Sequence, residues 1–408
     1  MEKWDFDRFS LLLGQPVAVI QGESYEKVGW GPYQFPKLYR TRKGAIICKC
    51  TAPGAQDDIA DYESAGVLYG KASEDGGKTW RPITREDIPV AVQLPGGCEF
   101  IPPKPVNSFE ADWLQKYTPD IHFDKKDPSG NAYPDFYDSD KIAEYPKKPV
   151  GYGYDPASGK TEVFQMQVNW PHFAMLTFSR PDGKKLIYPM EMVMNDLMGH
   201  FMVDPDGTIF FCTYKNGFSG ATGKEAWLYT VTVLRSDDRG RSWQWVSEVL
   251  TTPEYDTGTY MFEGFCEPHM QRMSDGSVIM LMRTGTCCPS YLVRSTDGCK
   301  TWSKPQLFDR VGVLPQLLRL GCGVTLASYG RPGVFLRATA DEKGLAWEQP
   351  IELLDEGTPS CSYTALLPLD DNSALMTYSH FTYSNPGGVP VKTVFVRRVT
   401  VKRKETVK

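Results

Sequence analysis

The sequence predicts an all-β chain, a six-bladed β-propeller with an inserted loop region in its second blade, and three observations carry that expectation. An octapeptide recurs: SEDGGKTW ends at Trp80, SDDRGRSW at Trp243 and STDGCKTW at Trp302, and a longer variant, TADEKGLAW, ends at Trp347. Helical periodicity is scarce, while short apolar runs such as GAIICKC, GTIFFCTY, SVIMLMRT, GVTLASYG and TVFVRRVTV are bounded by Gly, Asp, Asn or Pro. That is the pattern of short antiparallel strands joined by tight turns. The octapeptide aspartates Asp238, Asp297 and Asp341 are 59 and 44 residues apart, the length of one four-stranded blade.

The elements follow in order. Blades are expected over roughly 30–82, 85–192, 194–245, 255–304, 308–349 and 358–403, with QPVAVI near residue 15 closing the last one as an added strand. The interval from Asp75 to Asp238 spans two blades if one carries an insertion, and residues from about 101 to 160, rich in Pro, Asp, Tyr and Lys, are expected to be that insertion. The whole chain, 1–408, then reads as a single propeller domain. Within each octapeptide the Asp is expected to accept backbone N–H bonds, Gly to supply positive φ, Thr or Ser to cap the turn and Trp to bury its ring. The repeat is therefore structural.

Composition bounds the function. Hydrophobic residues make up 41% and charged residues 23%, and the net charge is −5 with both signs dispersed. No basic block is available to contact phosphates, which argues against a nucleic-acid partner. No run approaches the roughly 20 apolar residues of a membrane helix, so no membrane partner is expected. The N-terminal segment lacks the pattern of a secretory signal, and the ten cysteines show neither metal-site spacing nor a small-domain disulfide framework. A cytoplasmic protein with reduced thiols is expected, or a secreted or periplasmic one if a leader was removed. No cofactor and no catalytic metal are expected, because no His, Asp or Glu cluster has ligand spacing.

The octapeptides resemble the Asp-boxes of the sialidase superfamily, and further segments extend the resemblance. GFCEPHMQRMSDGSVIMLMRT resembles the sialidase segment in which a Glu precedes an Arg, here Glu267 and Arg283. ASYGRPGVFLR resembles the segment of the next Arg, here Arg331, and SCSYTALLPLDDNSALMTYS resembles the last blade, whose Tyr is here Tyr363. YQFPKLYR resembles the first-blade motif Tyr-Arg-Ile-Pro, with Tyr33 and Pro36 in place and Gln34 where the family has Arg. AQDDIADYES falls where sialidases carry an acid/base Asp; Asp58 is the better match and Asp57 the alternative.

The resemblance implies an exo-acting glycoside hydrolase that removes a terminal, acidic sugar from a glycan with retention. Tyr363 would be nucleophile, Glu267 its base, Asp58 the acid/base, and Arg283 and Arg331 a clamp for the sugar carboxylate. A phenol of pKa about 10 is a weak nucleophile until a carboxylate takes its proton. Tyr is a known exception to the two-carboxylate rule of glycosidases. Guanidinium forks match a carboxylate. Gln34 brings no charge and puts sialic acid itself in question; a uronic acid, another acidic sugar or a neutral sugar stays open. His200 and His172 lie near candidate strand starts and are candidate substrate contacts or proton carriers, and His269, two residues past Glu267, is a candidate substrate contact. Two other readings stand beside this one: a propeller hydrolase or lyase acting on a uronate-bearing polysaccharide with His200 or His172 in proton transfer, and a non-catalytic glycan-binding propeller. Trp30, Tyr33, Trp113, Tyr260, Phe262 and Tyr378 are the aromatic residues placed to meet a sugar ring.

Overall fold

A computed structural model describes residues 1–53, 69–103, 109–110, 112–120, 122, 135–138, 141–143, 149–169, 174–179, 185–188, 199–216, 228–259 and 261–404. Regular structure among them is strand throughout, apart from one short helix, Tyr25–Val28, and brief 3₁₀ turns. The chain is all-β, as its turn-punctuated apolar runs predict. It divides into two compact units, one of Met1–Val90, His269–Gly298 and Ser303–Lys408, the other of Ala91–Pro268 and Cys299–Trp302.

The first unit is a set of antiparallel sheets whose strands follow one another in chain order. Lys37–Arg40, Ile46–Lys49, Gly70–Ser73 and Arg81–Pro82 form one. Val313–Arg319, Thr325–Gly330, Val334–Thr339 and Ile351–Leu354 form another. Val278–Gly285, Ser290–Ser295 and Gln306–Asp309 pair in the same up-and-down order. The strand TLASYG is buried at every position, which is why it reads as a continuous run of apolar and small residues instead of an alternation.

The last sheet joins the two ends of the sequence. Ala365–Asp370, Ser373–Ser384 and Pro390–Arg403 pair in order, and the expected N-terminal strand is present: Val17–Gln21 lies antiparallel on Pro390–Arg403, with Val17 opposite Val396. Phe9–Leu13 pairs with the same C-terminal strand further along, a strand the sequence did not suggest. Phe9, Leu11 and Leu13 are fully buried against Leu326, Leu336 and Met376. Each such side chain stabilises the fold by about 1.5–3 kcal/mol relative to exposure.

The second unit contains the sheet Gly199–Val203, Ile209–Asn216, Tyr229–Ser236 and Ser242–Val249, joined in parallel by Gln167–Asn169. A second sheet is made of Val92–Gln93, Glu99–Ile101, Val150–Asp155 and Lys160–Gln165. Residues 150–155, within the stretch expected as an insertion, thus belong to a regular sheet, with Tyr152 opposite Ile101. Two other strands of that stretch, Phe109–Glu110 and Asp135–Asp138, pair with Lys185–Tyr188 and Ala174–Ser179 in a sheet of their own. Phe100, Phe211, Leu234 and Trp243 are fully buried at the centre of this unit.

The octapeptide turns are built as their residue types require. In the first, Asp75 accepts from the amides of Lys78 and Thr79, both at 2.9 Å, and from the Thr79 hydroxyl at 2.6 Å. Ser73 Oγ accepts from the Gly77 amide at 2.9 Å, and the Trp80 indole donates to Gly77 O at 3.1 Å. The second copy repeats this with Ser236, Asp238, Gly240, Ser242 and Trp243. Two consecutive residues are left-handed in each: Gly76 and Gly77, Arg239 and Gly240, Gly298 and Cys299. Where Cys299 replaces the second Gly, the indole bond changes: Trp302 donates instead to Ser247 Oγ at 2.9 Å, and Ser247 Oγ donates to Cys299 O at 2.5 Å.

Candidate functional site

In the first unit the structure gathers Arg283, Arg331, Tyr363 and Gln34 from four separate sheets' worth of sequence. Arg283 sits near the end of Val278–Gly285 and is buried; Arg331 is left-handed, as is Gly333, in the turn between Thr325–Gly330 and Val334–Thr339. Both guanidinium groups reach one hydroxyl: Thr286 Oγ1 accepts from Arg283 Nη2 at 3.1 Å and from Arg331 Nη1 at 3.5 Å. Arg331 also donates from Nε and Nη2 to Cys361 O, at 3.2 and 2.7 Å. Its guanidinium lies 5.3 Å from the ring centres of both Trp30 and Tyr363. Among the described residues every partner of Arg331 is neutral, so the guanidinium keeps its full charge for an anion.

Tyr363 stands just before the strand Ala365–Asp370, is buried, and meets the Phe35 ring edge-on at 4.8 Å between centres. Ser362, immediately before it, is left-handed at φ 58°. Phe35 donates its amide to Cys361 Sγ at 3.4 Å, and Cys361 Sγ lies 3.0 Å from Ser379 Oγ. Phe35 also packs with Trp30, which packs in turn on Phe381. The result is a cation-and-aromatic cluster with Tyr363 and Arg331 at its centre.

Gln34 has no exposed surface, and both of its neighbours, Tyr33 and Phe35, are left-handed. Its backbone is tied to Thr51 on both sides, Gln34 N to Thr51 Oγ1 at 2.8 Å and Thr51 N to Gln34 O at 2.9 Å. Its Oε1 accepts at 3.0 Å from Lys392 Nζ, itself fully buried, which also donates to Gly29 O at 2.8 Å. Lys392 lies 4.4 Å from the Phe381 ring centre and 5.3 Å from that of Tyr25. Burial pushes its pKa down to about 8, against the opposing pull of Cys361 and Cys50.

The remaining sequence-predicted residues are spread out. Glu267 belongs to the second unit, on the strand Phe262–Arg272, where it is buried and left-handed at φ 43°. A buried carboxylate in that conformation is held there by its surroundings at a cost of about 1–3 kcal/mol, a feature that clusters at functional positions. His200 opens the strand Gly199–Val203 of the second unit and is partly exposed. His269 is buried in the first unit, and its Nδ1 accepts from the Leu317 amide at 3.2 Å, a backbone tie that fixes the tautomer with its proton on Nε2. Asp57, Asp58 and His172, with Tyr260, lie outside the described residues.

Of the other named aromatic residues, Tyr33 packs on Tyr69, Tyr378 and Phe262 are buried, and Trp113 packs on the core of the second unit. Thr286, Cys361 and Lys392 were not singled out in the sequence. A cavity of about 370 Å³ in the second unit, lined by residues including Glu99, Asp155, Lys160 and Glu162, contains none of the predicted residues. Its Arg241 is paired with Glu162 at 2.5 Å, and Lys160 and Arg239 also line it. Among the described residues no group of three or more His, Cys, Asp or Glu is placed to hold a metal ion, and no helix is long and apolar enough to cross a membrane. The ten cysteines carry free thiols, most of them buried.

Sheets of sequential antiparallel strands, Asp-centred octapeptide turns and a cluster of arginines and aromatic residues define an all-β repeat protein. A family model described as BNR repeat-like domain matches residues 164–376. That is more than half of the chain, and the chain belongs to this family, in line with the sialidase-superfamily resemblance of its motifs. No curated protein matches it. Among solved structures, a protein of unknown function from Dyadobacter fermentans is 15% identical, with 96% of this chain and 99% of that one covered and a TM-score of 0.59. This likeness is one of fold. A mutant NanB sialidase from Streptococcus pneumoniae is 16% identical over 95% of this chain and 70% of that one, with a TM-score of 0.47. An alpha-L-arabinanase from Penicillium chrysogenum, complexed with arabinobiose, is 12% identical over 94% and 98%, with a TM-score of 0.44.

Proposed function

We propose that this protein is a glycoside hydrolase of six-bladed propeller type that removes a terminal acidic sugar from a glycan by a retaining mechanism. The observation that carries the reading is the meeting of Arg283 and Arg331 on Thr286 Oγ1, with the Arg331 guanidinium over the ring of Tyr363. Two permanent cations held together next to a phenol, and one of them bonded to neutral groups alone, suit an anionic ligand lying against that phenol.

In this reading Tyr363 Oη attacks the anomeric carbon as its proton passes to Glu267. Asp58, or Asp57, gives a proton to the departing glycosidic oxygen. The same carboxylate then takes a proton from water, whose oxygen displaces Tyr363 from the sugar, and Glu267 returns the proton to the phenol. A neutral phenol approaches an anionic sugar without the repulsion a carboxylate nucleophile would meet. Supported left-handed backbone at Ser362 and Glu267 is in keeping with roles that need fixed side-chain directions.

The test is a panel of aryl glycosides, a sialoside and uronides among them, against wild type, Tyr363→Phe and Glu267→Gln. Wild type is expected to cleave an acidic member with retention, and each variant to lose at least about a hundredfold in kcat. Full activity in Tyr363→Phe sinks the mechanism. Turnover of none of the panel, with binding retained, favours the non-catalytic glycan-binding reading.

A further inference from the structure

The ten thiols of the chain are not equivalent. Seven are buried, Cys98 and Cys322 are half-buried, and Cys287 alone is exposed. An exposed free thiol is open to oxidation, so its place in the fold has consequences. Cys287 stands in TGTCCPS, the turn from Val278–Gly285 to Ser290–Ser295, with Thr286 before it and Cys288 after it. Thr286 is the residue whose Oγ1 accepts from both Arg283 and Arg331.

The turn is pinned on both arms. Thr284 Oγ1 donates to Pro289 O at 2.5 Å, and Ser290 Oγ donates to Val311 O at 2.8 Å. Between the arms Cys287 is left-handed at φ 55°, a conformation that glycine adopts without strain and that a fold keeps in another residue when the side chain is needed. Cys288 is 1% exposed, and its Sγ donates to Thr286 O at 3.4 Å. The inner thiol thus holds the backbone of the residue that meets the two arginines. Adjacent cysteines can be joined to each other. Their Cα atoms, about 3.8 Å apart across one peptide, are closer than the roughly 4.4–6.8 Å of ordinary disulfides, so the small ring is strained and readily reduced again.

We propose that Cys287 and Cys288 are a reversible oxidation site, closed to a disulfide by a small organic disulfide, and that closure draws Thr286 away from Arg283 and Arg331 and weakens their hold on an anion. The second half of the inference rests on the reading that these arginines clamp an acidic sugar. The exposed Cys287, its proton lost to solvent, attacks one sulfur of the oxidant. The oxidant's S–S bond breaks, one half is bonded to Cys287, and the other leaves as a thiolate that takes up a proton. Cys288 Sγ then gives its proton to solvent and attacks Cys287 Sγ, and the second half of the oxidant departs in the same way. Both cysteines have been oxidised, and the oxidant has been reduced to its thiols. Cys288 no longer has a proton to donate to Thr286 O, and to bond at about 2.05 Å its sulfur has to turn toward Cys287. Thr286, attached directly to the new ring, shifts with it.

The experiment incubates the full chain with oxidised glutathione, caps the remaining thiols with iodoacetamide and maps the turn peptide by mass spectrometry. Wild type is expected to lose one hydrogen from each of the two thiols and to regain them in dithiothreitol. Cys287→Ser is expected to form no such bond, and Cys322→Ser, which removes a half-buried thiol elsewhere, to behave as wild type. Calorimetric binding of N-acetylneuraminic acid and of glucuronic acid reads the consequence. For the acid that binds, affinity is expected to fall about tenfold on oxidation, to return on reduction, and to stay at the reduced value in Cys287→Ser treated with the oxidant. Both cysteines capped, or glutathione retained on Cys287 with Cys288 capped, overturns the site. A joined pair with undiminished affinity, where Arg331→Gln destroys binding, overturns the link to Thr286 and leaves the arginine clamp standing. If neither acid binds the reduced protein, the clamp reading fails, and phenylglyoxal labelling of Arg283 and Arg331 decides the link: a severalfold rise on oxidation supports it, and an unchanged rate overturns it.

Discussion

The octapeptide turns and the Tyr363 cluster both hold residues in the left-handed region, and they fill it differently. In the turns five positions are shared among Gly76, Gly77, Gly240, Gly298 and Arg239, with Cys299 the sixth, so glycine carries most of the burden. In the cluster Gly29, Gly31 and Gly333 are left-handed too, but so are Tyr33, Phe35, Leu314, Arg331 and Ser362, none of them glycine. The polar groups differ too. The aspartates of the turns are saturated by neighbouring amides and hydroxyls, whereas among the described residues Gln34 keeps a buried donor without a partner and Lys392 a buried charge among neutral groups. A turn needs only a path for the chain, so the cheapest residue serves. A site needs particular side chains in particular directions, and the fold tolerates strain there to hold them.

The largest effect that tests this contrast is in a turn. A Cβ added at Gly240 would come 2.3 Å from Phe100 Cδ2, on a backbone at φ 87°. Gly240→Ala is expected to destabilise the protein by about 3–4 kcal/mol, the sum of overpacking and left-handed strain. Denaturant unfolding measures it, and a change below about 1 kcal/mol would mean that the turn glycines are not there for conformation.

Next in size is a contrast in pH. The Asp75 carboxyl is held well below its usual range by the hydroxyl and amide of Thr79. In Asp238 burial acts upward, but the bonds from Ser242 and Ser236 outweigh it and the net shift is down. A depressed carboxylate adds stability above its unfolded pKa that is lost as pH falls through the folded one, so the turns weaken in acid. Lys392 works at the other end. Its folded pKa, about 8, lies below the unfolded 10.5, so the unfolded chain binds more protons between those values and stability rises with pH across that window. The unfolding free energy of wild type minus that of Lys392→Met is expected to climb by up to about 3 kcal/mol from pH 8 to 10.5. A flat difference would mean that the ammonium is not buried in solution.

Legibility in the sequence follows the same division. The turns could be read because Ser, Asp, Gly, Thr and Trp act on one another within eight residues, and the pairing of Val17–Gln21 with Pro390–Arg403 followed from needing a partner for the last edge. Arg283, Arg331, Gln34 and Tyr363 could be read because each sits in a motif. Thr286 and Lys392 could not. Lys392 lies in VPVKTVFV, where alternation would send it outward, yet Val391, Lys392, Thr393 and Val394 are all buried. Of its surroundings, Phe381 lies on the neighbouring strand, but Gly29 and Gln34 are 363 and 358 residues away and Tyr25 belongs to the same N-terminal segment, and no local pattern encodes that meeting. VGYGYD, near the far end of the expected insertion, carries the Gly and Tyr content of a loop but is paired as a strand.

The smallest effect is the sharpest test of why strain is kept. Arg239 is left-handed at φ 61°, exposed, and stands where Gly76 and Gly298 have nothing within 4 Å of an added Cβ. Arg239→Gly is expected to stabilise the protein by about 0.5–1 kcal/mol and to leave ligand binding unchanged. Ser362→Gly relieves the same strain, at φ 58°, next to Tyr363. It is expected to give a similar gain in unfolding free energy but to lower turnover severalfold, because the freed backbone no longer fixes the direction of the phenol. Equal turnover in Ser362→Gly and wild type would show that the left-handed residue there serves the chain path alone, as in the turns, and the distinction between the two regions would fall.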